Sequence, residues 1–313
     1  MSTAADPATK AMNDACLDKL TSSDSTMQKE ASDAINDYTR MKMREDGFWR
    51  RILPPVAMTN DQLDRQVDTD KPVKVIDKEP DSPGAISLPF ASLPMNRYVK
   101  APRYRVMFFR IVTPKFTKDV DELRTYDMDV RQILSDNSIK DMLAEEDGTA
   151  IATINTLLGA AGSTVLETGA VQYRQIHGGI TRDTLMEGMK TMPRTNKRLN
   201  PATGLVNNVT IWDIAKFGRD EVGGDLAQEM FRTGFTEREL LGIRWIITIK
   251  RDLVHDGHVF MFAEPKFLGK FYTLEDTVMY IDRRAYMLEW FAYESIGSSV
   301  ANVAAVVHIE FIP

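Results

Sequence analysis

The chain has 313 residues and 35.4 kDa, with 43% hydrophobic and 27% charged side chains, an ordinary globular composition with room for one large or two modest cores. A net charge of -6 and a pI near 5.4 argue against a protein whose main task is gripping nucleic acid, because neutralising phosphates needs a basic surplus. The lone Cys16 excludes an internal disulfide, and no uninterrupted apolar run reaches the roughly 18 residues of a membrane span, so a soluble protein of a reducing cytoplasm is expected.

The first residues, "MSTAADPATKAMNDACLDKL", are polar and acidic where a signal peptide is basic and then greasy. Up to about residue 43 the apolar residues are too sparse for a buried face. This stretch reads as weak helix or a mobile arm, with "STMQKEASDAINDYTRMKM" as one candidate helix. Residues 44 to 70 read as extended, since Pro54 and Pro55 lack amide donors and bias their predecessors away from helix. Within them "GFWRRILPP", residues 47–55, places Phe48 and Trp49 where there is no local core. The basic run Arg40, Lys42, Arg44, Arg50 and Arg51 suits stacking on single-stranded nucleic acid together with those aromatics. Against that, it is mixed with Glu45 and Asp46, and Trp and Arg are equally the side chains most enriched at protein interfaces.

Val73, Val75, Ile86 and Leu88 alternate with polar residues on either side of the turn-like "KEPDSPG", which predicts a projecting hairpin over residues 71–90 with prolines on its edges. "RYRVMFFRIVT" follows as a stronger strand. From Val130 the period becomes helical: Ile133, Leu134, Met142, Leu143, Ile151, Ile154, Leu157 and Leu158 fall largely at i, i+3 and i+4. "SDN" at 135–137 and Gly148 mark candidate breaks, and the surest helix runs from about Asn137 to Leu158, ended by "GAAGST". Beyond it, "TRDTLMEGMKTM" predicts helix, "NNVTIWD" strand, "DLAQEMFRTG" helix, and "GIRWIITIK", "HVFMFAEP" and "GKFYTL" strands. "RRAYMLEWFAYESIG" and "NVAAVVHIEF" close the chain as β-rich or mixed segments. Helices and strands mix without a βαβ rhythm, so the fold class is α+β.

The one constellation with a catalytic look is "HDGH". His255 and His258 are metal-ligand types, and Asp252, Asp256 or Glu264 would add an oxygen, the basis of a metal-dependent enzyme reading. The blander reading makes Asp256-Gly257 a two-residue hairpin turn with a histidine on either side. "GAAGST" follows a helix and lacks the lysine of a phosphate-binding loop, "HGG" at 177–179 reads as a loop, and Cys16 has no histidine nearby in sequence. Glu145 and Glu146 read as a solvated helix face. No cofactor is called for, and the chain is not expected to be an enzyme.

The order of parts is arm, projecting hairpin, strand, long helix, compact α+β region and returning strands. Together with "REDGFWRRILPP", "DTDKPVKVIDKEPDSPGAISLPF", "DVRQILSDNSIKDMLAEED", "WIITIKRDLV" and "VFMFAEPKFLGKFY", it resembles the major capsid proteins of tailed bacteriophages over essentially the whole chain. These share the Hong Kong 97-type fold, also seen in encapsulins and herpesvirus shells. The resemblance implies an N-terminal arm over 1–70, an extended loop over 71–103 and a peripheral domain over 104–180 whose spine helix runs from about Asp129 to Leu158. It further implies an axial domain over 181–290 and a return to the peripheral domain over 291–313.

A subunit of this kind self-assembles into hexamers and pentamers of an icosahedral virion head around double-stranded DNA, in the cytoplasm of a bacterial host, with scaffolding, portal and decoration proteins as candidate partners. An encapsulin-like compartment is the nearest alternative. The resemblance implies that Phe48, Trp49, Arg50, Arg51, Ile52 and Leu53 of the arm dock on a neighbouring subunit. It implies the same of Val73, Val75, Asp81, Ser82, Pro83, Ile86 and Leu88 of the loop. Removing residues 1 to 55 should then leave folded subunits that fail to close shells. Some members join a loop lysine to an asparagine of the next subunit; Lys71, Lys74, Lys78 and Asn302 are of the right types.

Overall fold

The computed structural model describes residues 7–22, 24, 26–33, 35, 47–65, 71–78, 85, 87–90, 92–94, 96, 102–125, 130–215, 238–240 and 242–313. The expectations for Arg40, Lys42 and Arg44, for Asp81, Ser82, Pro83 and Ile86, and for a helix in "DLAQEMFRTG" lie outside the described residues.

Helix α1 (Pro7–Thr21) starts on proline, where a missing amide costs nothing, and residues 26–33 are helical as well. Their apolar side chains are few but aligned. Leu17, Leu20, Ala31 and Ile35 are buried against Val120, Leu123, Met279, Leu288 and Trp290 in a small second core. This part of the expected mobile arm is therefore a docked helical layer. Next comes a short helix α2 (Phe48–Ile52), so "GFWRRILPP" is not extended throughout; Pro54 and Pro55 end the helix rather than forbid it.

The strands β1 (Val56–Ala57), β2 (Asp64–Arg65), β3 (Pro72–Asp77), β4 (Arg103–Met107), β5 (Phe109–Val112) and β6 (Phe116–Asp119) follow. β3 pairs antiparallel with β4, Val73 opposite Met107, and with β2 on its other side. The expected hairpin is thus corrected. The partner of "PVKVID" is residues 103–107, while Leu88 belongs to no element. Val73 is only 1% exposed, turned into this chain rather than offered to another.

After the four-residue α3 (Val120–Leu123), α4 (Val130–Leu158) runs unbroken for 29 residues, roughly 43 Å at 1.5 Å per residue. Neither "SDN" nor Gly148 interrupts it, since a buried apolar stripe outweighs a glycine costing about 1 kcal/mol. Met142, Leu143, Ala150, Ile151, Ile154 and Leu158 form that stripe. The helix stops at Gly159, whose φ of +71° is the left-handed position glycine tolerates best.

Then come β7 (Thr164–Val165), β8 (Ala170–Val171), β9 (Tyr173–His177), α5 (Arg182–Met189), β10 (Thr203–Asn207), α6 (Thr210–Ala215), β11 (Arg238–Leu240), β12 (Ile243–Thr248) and β13 (His258–Phe262). α7 (Pro265–Leu268), β14 (Gly269–Arg284), β15 (Met287–Val300) and β16 (Val306–Ile312) complete the chain. "NNVTIWD" is a strand end, a turn and a helix, not a strand. Asn207 Oδ1 accepts from the amides of Val209 and Thr210 and caps α6.

Among the described residues the strands form four sheets. The longest ladder is β14 with β15, antiparallel from Gly269↔Val300 to Arg284↔Met287, with β1, β5 and β6 added at its sides. "GKFYTL" is only the start of β14, whose charged second half hid its length. A second, mixed sheet runs β11-β12-β10-β13-β16-β9. Here β10 lies between β12 and β13, so "HDGH" is not a hairpin turn but part of a crossing loop. The main core lies between this sheet, α4 and the ladder, and it includes Phe48, Trp49, Ile52 and Leu53.

Candidate functional site

The arm helix α2 is seated in the body by apolar and ionic contacts together. Trp49 is 1% exposed, its ring edge-on to Phe262 at 6.2 Å and its Nε1 donating to Ser298 Oγ at 3.0 Å. The Trp49 amide donates to Asp147 Oδ1 at 3.0 Å. Arg50 Nε donates to both oxygens of Glu146 at 3.1 and 2.9 Å, and its Nη2 donates to Glu294 Oε2 at 2.7 Å. Thr277 Oγ1 donates to the same Glu294 oxygen at 3.1 Å, while Glu294 Oε1 is buried without a partner. Lys250 Nζ donates to Asp147 Oδ2 at 2.6 Å and to the Leu143 carbonyl at 2.8 Å. Burial pushes the Glu146 carboxyl up to about 8, against the opposing pull of Arg50. Burial likewise raises Glu294 and Asp147 above the usual carboxylate range.

This geometry corrects the expectation that Phe48, Trp49, Arg50, Ile52 and Leu53 lie on a neighbouring subunit. All five are buried in their own chain, and only Arg51 of that group is half-buried at the surface. It also corrects Glu146, read from sequence as solvated: it is buried, while Glu145 is exposed. The missed signal was legible. Glu146 and Asp147 stand in helical register with Leu143, Ala150 and Ile151, and Glu294 alternates with Ala292 and Ile296 along β15. A buried carboxylate calls for a cation or a proton, and that the cation is Arg50, 96 and 244 residues away, follows only from the fold.

The histidines come together, but with a third that the sequence reading passed over. His258 Nδ1 and His308 Nε2 are 2.8 Å apart, and the His308 ring is sandwiched between Tyr173 and Phe260 with centroids at 4.1 Å to each. His255 meets His258 edge-on at 5.5 Å. They line an open cleft of about 340 Å³ that also takes in Asn155 and Asp252. Burial lowers His308 to about 3 and draws His258 below the usual histidine value. Between two neutral rings one nitrogen donates to the other, so these two facing nitrogens are not both free to bind a metal. Among the described residues no group of three His, Cys, Asp or Glu side chains can hold a metal ion. Asp256 instead pairs with Arg251 and accepts from Asn207 Nδ2 at 2.6 Å, and Glu264 pairs with Lys266.

Among the described residues of the loop, the large apolar side chains facing solvent are Leu88, Phe90 and Leu93. Val75 is half-buried. Lys74 donates to the Gln62 carbonyl at 2.7 Å, Lys78 pairs with Glu167, and Asn302 Oδ1 accepts from the Ala304 amide at 3.1 Å, capping its own turn. A groove of about 600 Å³ between β5 and α4 is bordered by Phe109, Val112, Arg110, Asp141 and Glu145.

No protein-family model and no curated protein matches the sequence. Solved structures do. The mature capsid of bacteriophage PhiM1 aligns with a TM-score of 0.58 over 86% of this chain and 88% of that one, at 9% identity. The virus-like particle from Pyrococcus furiosus aligns at 0.55 over 90% of this chain and 100% of that one, at 13% identity. The capsid of the native GTA particle gives 0.56 over 84% and 89%, at 14% identity. At such identities the likeness speaks to fold. The chain carries the fold of the tailed-bacteriophage major capsid proteins.

Proposed function

We propose that the protein is a structural shell subunit rather than an enzyme: the major capsid protein of a tailed double-stranded DNA bacteriophage, assembling into hexamers and pentamers of an icosahedral head. The observation that carries this reading is extent. Subunits of capsids and of a virus-like particle match the chain over 84 to 90% of its length, with most of their own length included. Physical features agree with it. Phe90 and Leu93 stand in solvent on the loop, a poor arrangement for a lone monomer and a natural one for a surface a neighbour covers. An acidic net charge of -6 suits a container whose wall need not hold the DNA inside it.

In this reading residues 71–103 form the overlapping loop, 104–180 and 291–313 the peripheral domain and 181–290 the axial domain. The arm, 1–70, is anchored to its own body by α2. Scaffolding, portal and decoration proteins remain candidate partners. Electron microscopy of the purified protein tests the proposal: closed shells are expected, and a subunit that stays monomeric at high concentration would overturn it.

An encapsulin-like compartment is the second reading, favoured by the match to the whole chain of the Pyrococcus furiosus virus-like particle. Small uniform shells loaded with a protein cargo and free of DNA would select it.

A further inference from the structure

The arm helix α2 is joined to the body by two unlike contacts. Phe48, Trp49, Ile52 and Leu53 enter the main core, whereas Arg50 enters a pocket where two carboxyls meet one guanidinium. Charged groups reach this point from every element around it: Arg50 from α2, Glu146 and Asp147 from α4, Glu294 from β15, Asp276 from β14 and Lys250 from the loop after β12. Lys250 is engaged by Asp147, which leaves Arg50 facing Glu146 and Glu294 together. With both ionised, the buried triad holds one negative charge in excess, and Asp276 adds to it. A single proton removes the triad's own excess. The bare Oε1 of Glu294 points the same way, since a buried oxygen without a donor is far costlier in an anion than in a neutral acid.

We propose that α2 is a proton-gated latch, closed over the body while one of the two carboxyls sharing Arg50 carries a proton and loosened when both are ionised. The proton belongs to the pair rather than to either residue. Burial raises Glu146 from 4.5 to about 8 and moves Glu294 in the same direction. An acid raised on docking holds its proton more tightly when docked. Docking is therefore strongest below about pH 4.5 and weakens progressively up to about pH 8. A cavity of about 60 Å³ bordered by Trp49, Glu146 and Ser298 adjoins the carboxyl. Opening exposes Trp49, while α1 and residues 26–33 keep their own hold on the body through the small second core. The latch is a property of the single subunit, so it stands or falls apart from the shell reading.

Hydrogen exchange by mass spectrometry on the full chain, corrected for the intrinsic rate at each pH, tests it at residues 48–53. Protection there should fall by up to tenfold per pH unit between about pH 5 and 8, while peptides covering β10 and β12 change less. Glu146→Gln, which mimics the protonated acid, should hold protection constant with pH. Glu294→Gln leaves one carboxyl for one guanidinium and should flatten the profile too, which covers the case in which the first variant does not fold. A flat wild-type profile, an unchanged slope in the folded variants, or parallel loss across all core peptides would each overturn the latch.

Discussion

Arg50 is the residue on which the arm's attachment turns, because it is the cation shared by two buried carboxyls, Glu146 and Glu294. Its replacement by Met keeps the apolar stem and strands both acids. Breaking a buried pair from one side costs about 3–5 kcal/mol. Arg50→Met should therefore lower unfolding stability by about that much at pH 8, and by less at pH 5, where the freed acids escape by taking up protons; denaturant titration at both values checks it. His308 acts with the opposite sign. Its folded value of about 3 lies below the ordinary 6.5, so its contribution is complete above pH 6.5 and is lost as pH falls toward 3. The loss is about 1.4 kcal/mol per pH unit at its steepest. His308→Phe keeps the stack between Tyr173 and Phe260 and removes the titration. The variant should be slightly less stable at pH 7, because His258 loses its partner, and should show a shallower fall in denaturation midpoint between pH 6 and 4.5.

At the scale of elements, α2 and the helices before it differ in what they hold together. α1 and residues 26–33 complete the small second core, whereas α2 and the Leu53 that follows it supply four side chains to the main one. Burying those four is worth roughly 6–12 kcal/mol, comparable to the whole stability of a domain at about 5–15 kcal/mol. Removing residues 1–46 should leave a cooperatively folding protein with a lowered melting temperature. Removing residues 1–55, which the sequence suggested would spare the fold, takes α2 away as well and should lower the melting temperature much further, with a cooperative transition still present in calorimetry. Equal melting of the two truncations would show that α2 is not part of the core. The long ladder has its own constraint at Gly269, where an added Cβ would stand 2.1 Å from the Ser299 carbonyl oxygen. Only glycine lets β14 and β15 approach at that end.

For the whole molecule, the decisive property is what its surface leaves uncovered. Phe90 and Leu93 are fully or nearly fully exposed in the single chain, so changing them costs the subunit little. The double change Phe90→Ser with Leu93→Ser should leave the subunit melting temperature within the error of measurement and sharply reduce the yield of closed particles in electron microscopy. Undiminished assembly would remove this part of the loop from the contact between copies.

The sequence by itself determined the class of fold, the long helix and the strand-rich close of the chain, because those follow from periodicities that each segment carries locally. It also carried the buried register of Glu146 and Glu294, in the spacing of their apolar neighbours. It did not determine which strands would be neighbours. β3 found residues 103–107, and β10 came between β12 and β13, since pairing is decided by distant partners competing for one edge. Nor did it determine where "GFWRRILPP" would be buried. A tryptophan reads as needing a core, but whether that core belongs to its own chain depends on Asp147, Phe262 and Ser298, from 98 to 249 residues away, being brought together by the tertiary fold.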